Sequence, residues 1–135
     1  MKPSLTSGLS RTRQLRVDES RVIGFMGDKG RVYATPALVM DIETTCRDLL
    51  LEHLDEGEDT VGTRIEINHT AATPLGMEVD IAATVASIDR RAVTFEIVAR
   101  DMLDQIADGR HTRFVVDVAK TLERISMKAQ KIGSP

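Results

Sequence analysis

The sequence predicts an α+β domain in which an antiparallel sheet wraps around one long helix. Three observations predict it. Residues 35–54 repeat their apolar side chains at helical spacing, and from Thr60 onward the period changes to the alternation of strands. The links between those strands are short, whereas a parallel crossover needs about a dozen residues. A chain of 135 residues fits one domain with a moderate core.

In chain order, residues 1–12 carry Pro3, Gly8 and several Ser and Thr without a periodic apolar pattern, and are expected to form a flexible tail. The domain proper is expected over residues 13–118, beginning with a short strand at 13–17. Gly24, Gly27 and Gly30 then invite comparison with a phosphate-binding loop, but no strand leads into them and no Gly-Lys-Ser/Thr follows. A mobile connection over the start of the helix is expected instead. Thr35 suits the N-cap and Pro36 the first helical position. At about 100° per residue, Leu38, Val39, Ile42, Cys46, Leu49, Leu50 and Leu54 share one arc, with Asp41, Thr44, Asp48 and Glu52 opposite. The DEGED run at 55–59, with Gly57, ends the helix.

Val61, Thr63, Ile65, Ile67 and His69 share one parity and form the expected inward row of the first long strand. After a turn at 72–76, Val79, Ile81, Ala83 and Val85 mark a second strand. A hairpin at 89–91 leads to a third, marked by Val93, Phe95, Ile97 and Ala99. In the fourth, residues 106–118, Phe114, Val116 and Val118 form the expected inward row, which turns Arg113 outward. Residues 119–135 are expected as a C-terminal helix and tail, with Leu122, Ile125, Ala129 and Ile132 on one side and Lys120, Arg124, Lys128 and Lys131 toward solvent.

Composition narrows the function classes. A net charge of −3, 3% aromatic residues and no Trp supply neither a basic footprint nor stacking platforms, so no nucleic-acid partner is expected. The single cysteine, Cys46, excludes an internal disulfide and lies in the helix stripe as a packed thiol. No apolar run approaches the ~20 residues of a membrane span, and residues 1–14 lack the apolar core of a secretory leader. The cytoplasm is the expected location, with no membrane partner. A single curved sheet leaves edges that a two-fold homodimer would cover.

Three polar groups interrupt the apolar pattern. Glu43 falls inside the helix arc, where an ionised carboxylate must find a partner, raise its pKa or sit at an opening. His69 closes the inward row and Thr35 starts the helix. Each has an ordinary structural role available: a solvated boundary, a strand-end histidine, a cap. Thr35 and Glu43 lie about 12 Å apart along the helix at 1.5 Å per residue, so they converge only across a ligand or through a second subunit.

The order of Ala34-Thr35-Pro36, Glu43, Val61-Gly62-Thr63, His69, Ala71 to Gly76 and the G-R-H-x-R of Gly109 to Arg113 resembles the fluoroacetyl-CoA thioesterase family of hot-dog-fold proteins. The resemblance implies hydrolysis of an acyl-CoA thioester, with no metal and no cofactor other than the coenzyme A of the substrate. It implies a homodimer with sites at the interface, the pairing of two dimers being left open. It places catalytic roles on Thr35, Glu43 and His69 and substrate contacts on Gly62 and Arg113. Glu43 would activate water or attack the carbonyl itself, and His69 would act as acid–base or hold the oxyanion.

Two departures stand out. Where the family's namesake guards its site with aromatic residues, residues 24–31 offer Phe25, Met26 and Lys29, which does not support specificity for fluoroacetyl-CoA; and Ala72 replaces a frequent proline. His53, His69 and His111 lack metal-ligand spacing. The alternative to an enzyme is a hot-dog module that binds acyl-CoA or an acyl ligand without turning it over.

Overall fold

The computed structural model describes residues 1–133. Helix α1 (Thr35–Leu51) packs Leu38, Ile42, Cys46, Leu49 and Leu50 into the core, with Leu54 buried just beyond its end. Ala34, not Thr35, is the N-cap, and no side chain caps the helix. The Thr35 hydroxyl is therefore available for another partner.

Asp41, expected on the solvent side, is buried instead. Its carboxylate accepts from Arg21 Nε at 2.9 Å, from Arg21 Nη2 at 3.1 Å and from the Tyr33 hydroxyl at 2.5 Å. Pairing of this kind lets a carboxylate leave water without an uncompensated charge. It also pins residues 19–33 to the helix. That segment holds the two-residue strands β2 (Val22–Ile23) and β3 (Val32–Tyr33), which pair antiparallel.

The main sheet comprises β1 (Ser10–Arg16), β4 (Glu58–His69), β5 (Glu78–Asp89), β6 (Ala92–Asp101) and β7 (Gln105–Asp117), in the order β1-β5-β6-β7-β4 and antiparallel throughout. The expected inward rows of β5 and β6 are observed: Val79, Ile81, Ala83, Val85, Val93, Phe95, Ile97 and Ala99 are all buried. Register shifts at 85–87, 99–100 and 62–64 add the local twist that curves the sheet around α1.

Two expected rows are corrected. In β7 the inward residues are Ala107, His111, Arg113 and Val115, whereas Phe114 is 42% exposed. Directly opposed residues share a face, and the register sets Val93 against Arg113 and Phe95 against His111, so the buried β6 row carries both inward. In β4 the shift between Gly62 and Arg64 breaks the parity, leaving Val61 43% exposed beside Phe114 while Thr60 and Ile67 turn toward the helix side.

The stretch expected as a loose tail is docked. Lys2 N–H donates to His53 O at 2.9 Å, Gly8 N–H to Val85 O at 2.8 Å, and Val85 N–H to Leu9 O at 2.8 Å. Leu5 is buried beneath them. One apolar anchor followed by sheet pairing holds the segment without any periodicity. At the other end, α2 (Val118–Lys131) is capped by Asp117, which accepts from Lys120 N–H at 3.0 Å, and it buries no residue among those described. No helix among the described residues is long and apolar enough to cross a membrane.

Candidate active site

The five sequence candidates fall into two clusters. Thr35 opens α1 and His69 closes β4, and Thr35 Oγ1 lies 2.8 Å from His69 Nδ1. Tyr33, anchored through Asp41, meets the His69 ring edge-on with centroids 6.3 Å apart at 78°. His69 Nε2 is buried and has no partner among the described residues. Burial disfavours the imidazolium and lowers the pKa of His69. These residues line a cavity of about 550 Å³ whose other walls are mostly apolar, including Ile23, Val32, Pro36 and Ala71, with Phe25 89% exposed at its edge.

The second cluster lies two turns along α1. Arg113 is 5% exposed and shares its protons widely. Its Nε donates to Thr60 Oγ1 at 2.8 Å and its Nη2 to Thr60 O at 2.9 Å. Nη1 donates to Glu43 Oε1 at 3.3 Å and lies 3.2 Å from His111 Nε2. Glu43 is thus a half-buried carboxylate held by a buried guanidinium, and the two residues line a smaller cavity of about 180 Å³ with Met40, Thr44 and Arg47. Gly62 completes the cluster, because a Cβ there would collide with Glu43 Oε1 and lie 3.2 Å from His111 Cε1.

The structure therefore joins Thr35 to His69, and Glu43 to Gly62 and Arg113, but does not bring all five together within one chain. Arg113, expected outward, faces in. Periodicity missed His111 in this cluster; the signal for it is the G-R-H-x-R run, where it shares the parity of Arg113. Burial pushes the Cys46 thiol up to about 12, which makes it a packing residue rather than a nucleophile.

A helix cradled by a curled antiparallel sheet is the architecture of hot-dog thioesterases, and the protein is a thioester hydrolase. The family described as fluoroacetyl-CoA-specific thioesterase, FlK, matches residues 17–119. A fluoroacetyl-CoA thioesterase of Streptantibioticus cattleyicolor is 34% identical over 97 residues, 72% of this chain and 70% of that protein. The chain belongs to the fluoroacetyl-CoA thioesterase family. The solved structure of FlK superposes with a TM-score of 0.85 at 27% identity, covering 93% of this chain and 98% of that one. A variant of FlK solved with fluoroacetate and CoA superposes at 0.80 and 28% identity, covering 87% and 99%. A thioesterase-superfamily protein of Thermus thermophilus, at 24% identity and a TM-score of 0.89, covering 97% of this chain and 98% of that one, shares the fold.

Proposed function

We propose that the protein hydrolyses an acyl-CoA thioester through Glu43 and His69, in a homodimer that joins the two clusters across its two-fold axis. The observation that carries this reading is the buried, unpartnered Nε2 of His69 beside the cavity. With the Thr35 hydroxyl donating to Nδ1, the neutral ring holds its proton on Nε2 and can donate it to the thioester carbonyl oxygen. Glu43 takes a proton from water as the water oxygen adds to that carbonyl, and then returns the proton to the departing CoA sulfur. The backbone N–H near Gly62 can approach the carbonyl because no side chain intervenes, and Arg113 holds the carboxylate.

The free outer edge of β4, which with β1 is one of the two edge strands of the sheet, supports that dimer. If two copies pair antiparallel about a point between Ile65 and Glu66, Gly62 of each stands opposite His69 of the other. In that pairing Glu43 of one copy would meet Thr35 and His69 of the other, which is one of the two routes to convergence, with a bridging ligand, that their separation along α1 allows. Ile65, 37% exposed in the single chain, would be covered. The known relative acts on fluoroacetyl-CoA by name. In this chain Phe25 lies at the edge of the cavity, whereas Met26 and Lys29 are not among the residues that line it, and the panel below identifies the acyl group.

Thiol release from short, branched and aromatic acyl-CoA thioesters tests the reading, with Glu43→Gln run alongside and both proteins sized by sedimentation. Turnover that disappears in a still-dimeric Glu43→Gln protein is expected. A folded, fully active Glu43→Gln protein would remove Glu43 from the mechanism, and thermal stabilisation by acyl-CoA with no thiol release would identify a binding module instead.

A further inference from the structure

We infer that His111 is a positioning residue: with its ring proton on Nδ1, it orients the Arg113 guanidinium that holds Glu43. The inference rests on the reading that Glu43 acts on the substrate, and goes beyond it in assigning a residue that touches neither substrate nor reacting atoms.

The hydrogen bonds settle the tautomer. His111 Nδ1 lies 2.8 Å from the carbonyl oxygen of Arg64, and a carbonyl only accepts, so Nδ1 must donate. In a neutral ring this leaves a lone pair on Nε2, and Arg113 Nη1 lies 3.2 Å from it. Nη1 carries two protons. One is directed at Glu43 Oε1 and the other at His111 Nε2, so the imidazole, with Thr60 on the other two nitrogens, holds the plane of the guanidinium beside the carboxylate. An imidazolium would present Nε2–H to Nη1–H and break that arrangement.

The surroundings favour the neutral ring. His111 is 1% exposed. From α1 it faces Glu43; from β4 the Arg64 carbonyl; on β7 Arg113; and its partner on β6 is the uncharged Phe95. Burial is the largest influence and lowers its pKa, and the charge of Arg113 acts the same way, against the Arg64 carbonyl and Glu43. Simple packing would need only a ring of this size. Packing alone does not require a ring whose two nitrogens are both bonded, one to each strand of the β4–β7 pair.

Two variants separate positioning from packing. His111→Phe keeps the ring without its acceptor, while His111→Gln keeps an amide oxygen within reach of Nη1 and does not titrate. His111→Phe should lower kcat by about 10²-fold, as displacement of a reacting group by ~1 Å does, with KM nearly unchanged. His111→Gln should recover most of that loss and keep its activity further into the acid range. Equal losses in the two variants, or wild-type kcat in His111→Phe, would overturn the proposal. ¹⁵N NMR of the labelled wild-type ring adds a readout independent of turnover and of variant folding. Protonated Nδ1 and bare Nε2 at neutral pH are expected, with the Nε2 resonance moving in Arg113→Met; a proton on Nε2 overturns the proposal. If Glu43→Gln proves fully active, the catalytic reading has failed, and NMR still decides whether His111 accepts from Arg113.

Discussion

Gly62→Ala isolates the close approach on which the second cluster depends. Gly62 sits directly opposite Arg113 in the β4–β7 pair, facing the helix. An added Cβ would fall roughly 1 Å inside the ~3.5 Å of optimal contact with Glu43 Oε1. The other neighbours, His111 Cε1 at 3.2 Å and Arg113 Nη1 at 3.4 Å, are tight but tolerable. The atom that must move is therefore the end of a flexible carboxylate, not backbone, and it must move by about 1 Å. Displacement of a reacting group on that scale costs about 10²-fold in rate, or ~2.7 kcal/mol of barrier. Stability should not fall with it. Alanine in a strand loses less backbone entropy on folding than glycine, by about 0.5–1 kcal/mol, and Gly62 is not among the positive-φ glycines. The assay is kcat on the best acyl-CoA of the panel together with Tm. A rate lowered about 10²-fold at unchanged Tm is expected. Wild-type kcat would show that Glu43 position does not matter, and a Tm fall of several degrees would show that the backbone yields before the carboxylate.

Three further outcomes follow from the packing. Asp41→Asn removes the charge that Arg21 and Tyr33 share and should cost about 2–3 kcal/mol in urea unfolding. Gly109→Ala drives a Cβ into the backbone carbonyl of Glu66 across the β4–β7 pair, and a loss of about 3 kcal/mol is expected in the same assay. Stability should also decline as pH falls from about 6.5, because both His69 and His111 have pKa values lowered by burial. Below the unfolded value the unfolded chain binds more protons, so stability is full above it and is lost as pH drops through the folded values. Asp59 and Asp101, whose pKa values are also lowered, act only below about pH 4, so histidine variants should flatten the slope between pH 5 and 7.

The helix and the central strands were legible in the sequence because their periods are clean. Val79 to Val85 and Val93 to Ala99 place an apolar residue at every second position, and both rows are buried as expected. Elsewhere the pattern misled where polar groups are satisfied by partners far along the chain. Asp41 looks like a solvent residue until Arg21, 20 positions earlier, is placed against it. In β7 both parities contain apolar residues, and the row with a charge and an imidazole is the buried one, because Thr60 and Glu43 on other elements receive the guanidinium protons. Ordered motifs went further than periodicity did: they grouped Arg113 with Glu43 and Gly62, and it lies beside both, against its apparent parity.

The bulge in β4 explains how one strand serves both clusters. Gly62 and His69 are seven residues apart, an odd number, so on an unbroken strand their side-chain directions would point to opposite faces. The register runs Gly62 against Arg113, then skips Thr63 and resumes with Arg64 against Thr112, which carries Ile65, Ile67 and His69 into line with His111, Gly109 and Ala107. One extra residue thus turns both ends of the strand to the helix side: Gly62 under Glu43, and His69 against Thr35. The same extra residue sends Val61 outward and defeats any assignment made from alternation alone. Strand alternation in an edge strand is therefore least informative where a bulge re-aims a functional side chain, and here that place is the three-residue run Val61-Gly62-Thr63.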